Sequence, residues 1–228
     1  MNFKNKKFPS QIFRAYDIRG TISLLTPELV KAIAYGLVAQ YQAAGQTQLA
    51  IGYDARLTSP TYAEIIRQVC EENQIQATIL GCCSTPLLYF IARQFDVNGI
   101  MLTASHNPKG DNGIKWIIQH EPPSPDMIQD VAISATHVFD PTHKITIKPV
   151  QHEIVIQYCL EYQHALLQDI QLKRPFKVVL DGLNGSAVLC ADLVLKKMGC
   201  DIIAIRCNAD GHFPDHAPDP SQEKHLVE

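Results

Sequence analysis

The sequence has no long hydrophobic run, no strong excess of charge and no repeated or low-complexity tract. No uncharged apolar stretch reaches the roughly 18 residues that a membrane-spanning helix needs, and the first residues lack the apolar core of a signal peptide. A net charge of −3 and a pI near 6.3 exclude the strongly basic surface that is typical of nucleic-acid-binding proteins. We therefore expect a cytoplasmic protein that binds neither a membrane nor a nucleic acid.

The seven cysteines also lack a recognisable pattern. Their number is odd and no Cys-x-x-Cys pair occurs, which argues against a disulfide framework and against a structural zinc site. We expect reduced thiols. The adjacent residues Cys82 and Cys83 leave a redox role open beside the commoner role of a buried apolar residue.

What is present is an alternation of strand-like and helix-like segments. With 228 residues, of which 46% are hydrophobic and 19% charged, the chain can bury a core and form one or two domains. Strands are predicted at 49–53, 77–80, 99–103 and 113–118, and helices at 86–95 and from Thr26 and Ser59, where a cap or a proline opens an apolar face. This alternation predicts an α/β fold with a mostly parallel sheet and helices on both faces.

The pattern weakens between Phe139 and Val150, where we place a domain boundary. The sequence then divides into a first α/β/α domain, residues 1–148, and a second unit, residues 149–228. The second unit is predicted to contain a helix over 153–169, a strand over 177–180, a helix over 186–198 and a strand over 201–205. Two strands in about 80 residues are few for an α/β domain, so we expect an incomplete second domain.

The most informative segment runs from Thr103 to Lys115. Ser105 follows a short apolar strand, and the carboxyl ends of strands are where open α/β sheets gather their ligands. Lys115 lies on the next apolar segment. A lysine near a serine suits phosphoryl transfer, because the negative charge of the phosphate oxygens must be offset. A polar turn between two strands is the open alternative. We expect His106 and Ser105 to point to different sides of an extended loop, and no Gly-x-Ser-x-Gly motif supports a serine hydrolase.

At these residues the chain resembles the α-D-phosphohexomutases, the family of phosphoglucomutase and phosphomannomutase, whose phosphoserine loop reads Thr-Ala-Ser-His-Asn-Pro. The match continues through Asn-Gly-Ile-Lys at 112–115. The segment at 13–20, Phe-Arg-Ala-Tyr-Asp-Ile-Arg-Gly, looks like the amino-terminal signature of the bacterial phosphomannomutase/phosphoglucomutase branch. Further similar segments follow in family order at 52–59, 181–185 and 210–220.

The resemblance implies a role for five residues. Ser105 would carry the phosphoryl group and would bind Mg²⁺ through that phosphate, and His106 would position the loop. Lys115 would offset phosphate charge or take part in proton transfer, and Tyr16 and Arg19 would line the substrate cleft. The intact enzyme would move phosphate between positions 1 and 6 of a hexose phosphate, with a hexose 1,6-bisphosphate as activator.

Structural roles remain open for several of these residues. Arg19 could be half of a surface ion pair, and Tyr16 could be an amphipathic residue of the core. Asp54 and Arg56 could form a pair that steadies the loop beneath the site.

The chain also departs from the family pattern. The metal-binding motif Asp-Gly-Asp-x-Asp-Arg, the sugar-recognition loop and the phosphate-binding loop are not found in the 228 residues. We therefore expect the amino-terminal half of a phosphohexomutase, inactive alone, with the carboxyl-terminal half as a possible partner. A non-catalytic remnant or interaction module is the alternative.

Two groups of residues in the second unit have more than one interpretation. The segment Asp181 to Gly185 is a tight strand-to-helix turn or a phosphate cradle. His212 and His216, together with nearby aspartates, have metal-ligand chemistry, but the intervening Pro214 prevents the helical spacing that would align both imidazoles.

Overall fold

The computed structural model describes residues 8–149, 156–215 and 217–221. A short 3₁₀ helix, Ser10–Ile12, precedes the main elements. In chain order these are β1 (Ile18–Thr21), α1 (Pro27–Ala43), β2 (Gln48–Tyr53), α2 (Ser59–Glu72), β3 (Gln76–Cys82), α3 (Thr85–Gln94), β4 (Asn98–Leu102), β5 (Asp111–Ile117), α4 (Pro125–Val138), α5 (Ile156–Asp169), β6 (Lys177–Asp181), α6 (Val188–Lys197) and β7 (Asp201–Ile205).

The first five strands form one mixed sheet in the order β1-β5-β4-β2-β3. Strand β2 pairs in parallel with both β3 and β4, and β5 runs antiparallel to its neighbours β4 and β1. The predicted mostly parallel α/β sheet is therefore confirmed, with β5 as the strand of opposite direction. The β4–β5 register places Met101 opposite Lys115, so the two side chains share one face of the sheet.

Helices cover both faces of this sheet, as predicted. Helices α1, α2 and α4 pack on one face over a large apolar core that includes the fully buried Trp116. Helix α3 packs on the other face, where its Leu88 and Ile91 belong to one apolar cluster with Ala50 of β2 and Met101 of β4. Burial of these apolar side chains is the main stabilising contribution to the first unit.

The starts of the helices follow their local sequence. Thr26, Ser84 and Ser124 each accept a hydrogen bond from a backbone N–H in the first turn, and each is followed by a proline at the first or second helical position. Such a cap satisfies a donor that the helix itself leaves unpaired. The sequence interpretation missed β1 and α4, although Ser124-Pro125 has this capping pattern.

The second unit consists of α5, β6, α6 and β7, and its two strands pair in parallel. Helix α5 packs against α6 and also against α3 of the first unit, where the ring centroids of Phe90 and Tyr162 lie 5.2 Å apart. The predicted start of the helix at 153–155 lies outside the described residues. No helix in the described ranges is long and apolar enough to cross a membrane.

Candidate active site

Ser105 lies three residues beyond the end of β4, at the carboxyl edge of the parallel strands. Thr103 and Ala104 are buried, whereas Ser105 is exposed. Its φ of 55° is in the left-handed region, which an L-residue other than glycine adopts only when its surroundings hold it there. The Ser105 N–H donates to Thr103 Oγ1 at 2.8 Å, so the loop itself supplies part of this restraint.

The Ser105 and His106 side chains meet, contrary to the expectation from their adjacency in sequence. Ser105 Oγ lies 3.1 Å from His106 Nδ1. The expectation was wrong because it assumed extended backbone, whereas the left-handed φ at Ser105 turns both side chains to the same side. Within the described ranges His106 has no bond to a carboxylate that would orient it as in a hydrolase triad.

Arg56 holds the serine loop from beneath. Its guanidinium donates to the backbone carbonyls of Ser105, Asn107, Pro108 and Asp111 at 2.7–2.9 Å. Only 2% of Arg56 is exposed, and burial lowers the pKa of its guanidinium while Asp54 acts in the opposite direction. The predicted structural role of Arg56 is therefore confirmed. One side chain fixes four carbonyl groups of one loop.

Asp54 and a group of polar side chains in turn fix Arg56. Asp54 accepts bonds from the Arg56 N–H, the Arg56 guanidinium and the Ser59 hydroxyl at 2.8–3.1 Å. The Asn112 amide donates to Ser59 Oγ at 2.9 Å and to Thr58 Oγ1 at 2.8 Å. Both ends of the serine loop are thus tied to the segment between β2 and α2, which is the segment at 52–59 noted in the sequence.

Asp17 brings two of the predicted site residues together. Its Oδ2 accepts a bond from Arg19 at 2.7 Å and another from Lys115 at 2.8 Å. Asp17 is 1% and Arg19 is 6% exposed, so their ion pair is buried. The alternative that Arg19 forms a surface ion pair is therefore wrong. Arg19 also donates to Ala104 O at 3.1 Å and to Asn107 Oδ1 at 2.9 Å. Arg19 therefore connects Asp17, and through it Lys115, to the serine loop.

Tyr16 lies on the surface beside Lys115. Its side chain is 63% exposed, and Lys115 Nζ lies 5.2 Å from the centroid of its ring. The alternative that Tyr16 is a core residue is therefore wrong. An exposed aromatic ring next to a lysine can contribute to a cleft wall and to a cation–π contact.

A cavity of about 260 Å³ adjoins Ser105 and lies between the two units. Thr85 and Pro86, in the first turn of α3, form part of its wall, and so do residues 185–187, which immediately precede α6. The amino termini of two helices thus face the same space as the serine. The partial positive charge at helix amino termini favours bound anions.

The second unit directly contacts Arg56 and the adjacent backbone, which hold the serine loop. The Phe213 ring lies 5.6 Å from the Arg56 guanidinium carbon. A Cβ added to Gly211 would lie 2.2 Å from the Ala55 carbonyl oxygen, so glycine allows this close backbone approach.

The structure describes the segment at 181–185 fully and the group around His212 and His216 in part. The Asp181–Gly185 segment is a tight turn, because the Gly185 N–H donates to the Gly182 carbonyl at 2.8 Å. The Gly182 and Asn184 N–H groups donate to the carbonyls of Ile205 and Arg206 at 2.9 Å and are therefore not directed at a phosphate. No group of three metal-ligating side chains occurs within the described ranges, and His216 lies outside them. His212 is bonded to Asp210 at 2.9 Å.

The sequence interpretation missed three residues that shape the site: Asp17, Thr103 and Asn107. Asp17 stands inside the segment at 13–20, and Thr103 and Asn107 stand inside the serine loop. The partners of Asp17 and Asn107 could not be predicted, because Lys115 lies 98 residues from Asp17 and Arg19 lies 88 residues from Asn107. Thr103 bonds to Ser105 within the loop, and that bond depends on the left-handed backbone at Ser105.

Comparisons with known proteins identify the family of the chain. Residues 10–137 match the model of phosphoglucomutase/phosphomannomutase alpha/beta/alpha domain I, and residues 158–228 match that of domain II. The chain is 34% identical to a phosphoglucomutase of Neisseria meningitidis serogroup A and 33% identical to a phosphomannomutase/phosphoglucomutase of Pseudomonas putida. These alignments cover 94% and 96% of the chain but 46% of each relative. The chain therefore spans about half the length of the curated relatives it matches.

Solved structures show the same relationship. A phosphoglucomutase/phosphomannomutase family protein from Burkholderia thailandensis superposes with a TM-score of 0.83 at 26% identity, over 97% of this chain and 49% of that one. A putative phosphomannomutase from Thermus thermophilus, 19% identical, has the same fold with a TM-score of 0.75, over 94% of this chain and 50% of that one. On both family-domain matches, the chain belongs to the phosphoglucomutase/phosphomannomutase family.

Proposed function

We propose that this chain supplies the phosphoserine-bearing part of a cytoplasmic phosphohexomutase, with Ser105 as the phosphoryl carrier. The observation that carries the proposal is the exposed Ser105 hydroxyl, held at the strand end in a left-handed conformation by the Arg56 bonds to its loop. A group that must both give and receive a phosphoryl group needs this combination of exposure and fixed position.

The surroundings of Ser105 suit a phosphate dianion. The amino termini of α3 and α6 border its cavity, and Arg19 binds the loop on either side of it. Lys115 lies on the neighbouring strand, with its ammonium group held by Asp17. Preorganised positive charge of this kind stabilises the oxygens of a phosphoryl group in transfer.

The proposed reaction has two transfers. In the first, a sugar hydroxyl attacks the phosphorus on Ser105, the bond from phosphorus to Ser105 Oγ breaks, and a base accepts the hydroxyl proton. The bisphosphate then reorients, Ser105 Oγ attacks the phosphorus of its other phosphoryl group, the bond from that phosphorus to the sugar oxygen breaks, and the sugar oxygen takes up the proton from the base. His106 Nδ1, 3.1 Å from Ser105 Oγ, positions the loop, and Lys115 offsets charge or takes part in proton transfer.

The described residues do not by themselves form a Mg²⁺ site. Mg²⁺ requires several oxygen ligands in octahedral geometry. Asp17 and Asp54 are engaged by arginine or lysine side chains, and no group of three ligating side chains occurs in the described part of the chain. Under the proposal, the Ser105 phosphate would contribute one ligand, and the others would come from additional polypeptide.

A hexose phosphate is the proposed substrate. The names of the relatives include phosphoglucomutase, phosphomannomutase/phosphoglucomutase and, for a protein of Methanococcus vannielii that is 32% identical over 182 residues, phosphoglucosamine mutase. The segment at 13–20 favours glucose and mannose phosphates, with a hexose 1,6-bisphosphate as activator. We propose that turnover also requires a carboxyl-terminal half, in the same chain or as a partner.

Phosphoenzyme formation tests the proposal. The chain is combined with the carboxyl-terminal half of a relative, or fused to it, and incubated with glucose 1,6-bisphosphate. Intact-mass measurement should show one added phosphoryl group, and peptide mapping should place it on Ser105. Ser105→Ala should abolish it, whereas Ser134→Ala, on the distant helix α4, should not. Phosphate on Thr103, or on no residue, would contradict the assignment, and the latter result would support the non-catalytic alternative.

A further inference from the structure

The segment at 210–213 of the second unit lies against Arg56, and the proposed phosphoryl transfer leaves this segment without a role. It opens the family-like segment at 210–220 and reads Asp-Gly-His-Phe. Phe213 is 6% exposed. It belongs to neither of the two apolar clusters that the described residues form, so packing within either core does not account for its burial.

The Phe213 ring covers a face of the Arg56 guanidinium. All five N–H groups of that guanidinium already donate, one to Asp54 and four to carbonyls of the serine loop. Because a guanidinium is planar and its N–H groups lie in the plane, only its two faces remain for further contacts. An aromatic ring binds such a face without competing for the N–H groups, and the Phe213 ring centroid lies 5.6 Å from the Arg56 guanidinium carbon.

The second unit holds Phe213 in an unusual backbone conformation. Its φ of 45° is in the left-handed region, which is rare for a residue with a bulky side chain and persists only where the surroundings impose it. The Phe213 N–H donates to Asp210 O at 3.1 Å, and the Asp210 N–H donates to Asn184 O at 2.9 Å. Asn184 is buried and belongs to the tight turn at 181–185. The restraint on Phe213 therefore comes from the second unit, whereas its ring contacts the first.

Gly211 brings the same segment against the backbone beside Arg56. A Cβ added to Gly211 would lie 2.2 Å from the Ala55 carbonyl oxygen and 2.9 Å from the Leu57 nitrogen. A larger residue could occupy this position only if the segment moved away. This backbone contact does not involve the Phe213 ring, so two independent contacts of the 210–213 segment meet residues 55–57.

We propose that the 210–213 segment positions the phosphoserine loop from the second unit, with Phe213 as a positioning residue that acts on Ser105 through Arg56. The ring and the Gly211 contact hold the guanidinium where it binds the loop carbonyls, and Phe213 also lines the cavity beside Ser105. The effect on turnover rests on the proposed function of Ser105. The effect on the shape of the loop does not.

Hydrogen exchange of the 228-residue chain tests the effect on the loop. Phe213→Leu keeps a buried apolar side chain but removes the ring, and exchange in peptides that cover residues 103–112 should become about tenfold faster while exchange in β2 and β4 stays unchanged. Phe176→Leu is the matched control. Phe176 is another ring of the second unit that lies over an arginine, 4.9 Å from the guanidinium carbon of Arg174, and its replacement should leave exchange in the loop unchanged.

Two further variants separate the ring from the backbone contact. Phe213→Tyr retains the ring, so exchange in the loop should stay as slow as in the unmodified chain. Gly211→Ala retains the ring but displaces the segment, so it should accelerate exchange in the loop as Phe213→Leu does. Unchanged loop exchange in Phe213→Leu, equal acceleration throughout the first unit, or fast loop exchange in Phe213→Tyr would overturn the proposal. If Phe213→Leu does not fold, loop exchange in Gly211→Ala decides in the same way.

Kinetics of the reconstituted or fused enzyme then connect the loop to transfer. Phe213→Leu should lower kcat about tenfold and leave KM nearly unchanged, because the phosphoryl carrier is misplaced while the groups that bind the sugar are not altered. An unchanged kcat, or a rise in KM alone, would contradict the role of Phe213 in transfer. If the unmodified enzyme carries no phosphate on Ser105, the proposed function fails, and hydrogen exchange still decides whether Phe213 positions the loop.

Discussion

Lys115 Nζ donates to Asp17 Oδ2 at 2.8 Å, although 98 residues separate them in the sequence. Asp17 precedes β1 and Lys115 lies within β5, and these two strands pair directly in the sheet. Because Asp17 is almost fully buried, its charge is balanced by Arg19 and Lys115 rather than by water. The lysine that the serine loop's sequence pointed to is therefore held in place by a carboxylate from the beginning of the chain.

Lys115→Ala should affect transfer more than folding. In the reconstituted or fused enzyme of the proposed function, we expect turnover to fall by about 10² to 10⁴, the usual scale for losing one acid/base or charge-stabilising group. Lys109→Ala, an exposed lysine of the same loop, should leave turnover nearly unchanged. Steady-state kinetics of both variants are compared, and equal losses would argue against a specific role for Lys115.

Arg56→Met should destabilise the first unit strongly. It removes the donor to four loop carbonyls and leaves Asp54 without its cation, and breaking a buried ion pair costs about 3–5 kcal/mol. Arg93→Met, at an exposed position of α3, should change the free energy of unfolding by no more than about 0.5 kcal/mol. Urea unfolding measures both, and a small effect of Arg56→Met would mean that the loop holds its shape without the clamp.

Gly113→Ala should disturb the packing of β5 against its neighbours, β1 and the end of β4. An added Cβ would lie 2.6 Å from Ile18 O and 2.8 Å from Thr103 O, both of which are backbone atoms that cannot rotate away. We expect a loss of about 1–3 kcal/mol in the free energy of unfolding. Gly110→Ala, where nothing lies within 4 Å of the added atom, is the control. Thermal unfolding of the two variants should separate them, and similar midpoints would show that the strands shift apart easily.

Cys70 should make the protein sensitive to alkali. Burial raises the pKa of its thiol from 9.0 to about 12, so the unfolded chain releases this proton at a lower pH than the folded chain. The stability that the protonated thiol contributes is complete below pH 9 and is lost as the pH rises toward 12, at about 1.4 kcal/mol per pH unit.

Urea unfolding at several pH values above 9 measures this slope. Cys70→Ala should reduce the slope by the contribution of one proton, about 1.4 kcal/mol per pH unit. Val69→Ala, which truncates a neighbouring buried side chain, should lower the free energy of unfolding without changing the slope. An unchanged slope in Cys70→Ala would show that the thiol ionises alike in both states.

Hydrogen exchange tests the proposed division between residues 148 and 149. The strands of the first unit are covered on both faces, whereas Val179 and Ile203 in β6 and β7 are 62% and 44% exposed. We expect slow amide exchange before about residue 140 and faster exchange in β6 and β7, because exchange requires local opening. Uniform protection across both units would contradict two units of different stability.

The sequence by itself determined most of the helices and strands, in their order, and the position of the serine loop. The capped helix start at Thr26, the start at Ser59 with its following proline, and the apolar runs at β2 and β4 are local signals, and they predicted helices and strands to within a few residues. Helix α4 had a similar start at Ser124 that was overlooked. Strand β1 is only four residues long and had no alternation strong enough to predict it.

Tertiary structure decided what surrounds Ser105. The left-handed backbone that turns Ser105 toward His106 depends on the loop being held by Arg56, which lies about 50 residues earlier in the chain. The exposed position of Tyr16, the burial of Arg19 and the meeting of Asp17 with Lys115 likewise depend on which strands become neighbours. Periodicity and capping act over a few residues, whereas these contacts form only when distant segments pack, so no local pattern in the sequence specifies them.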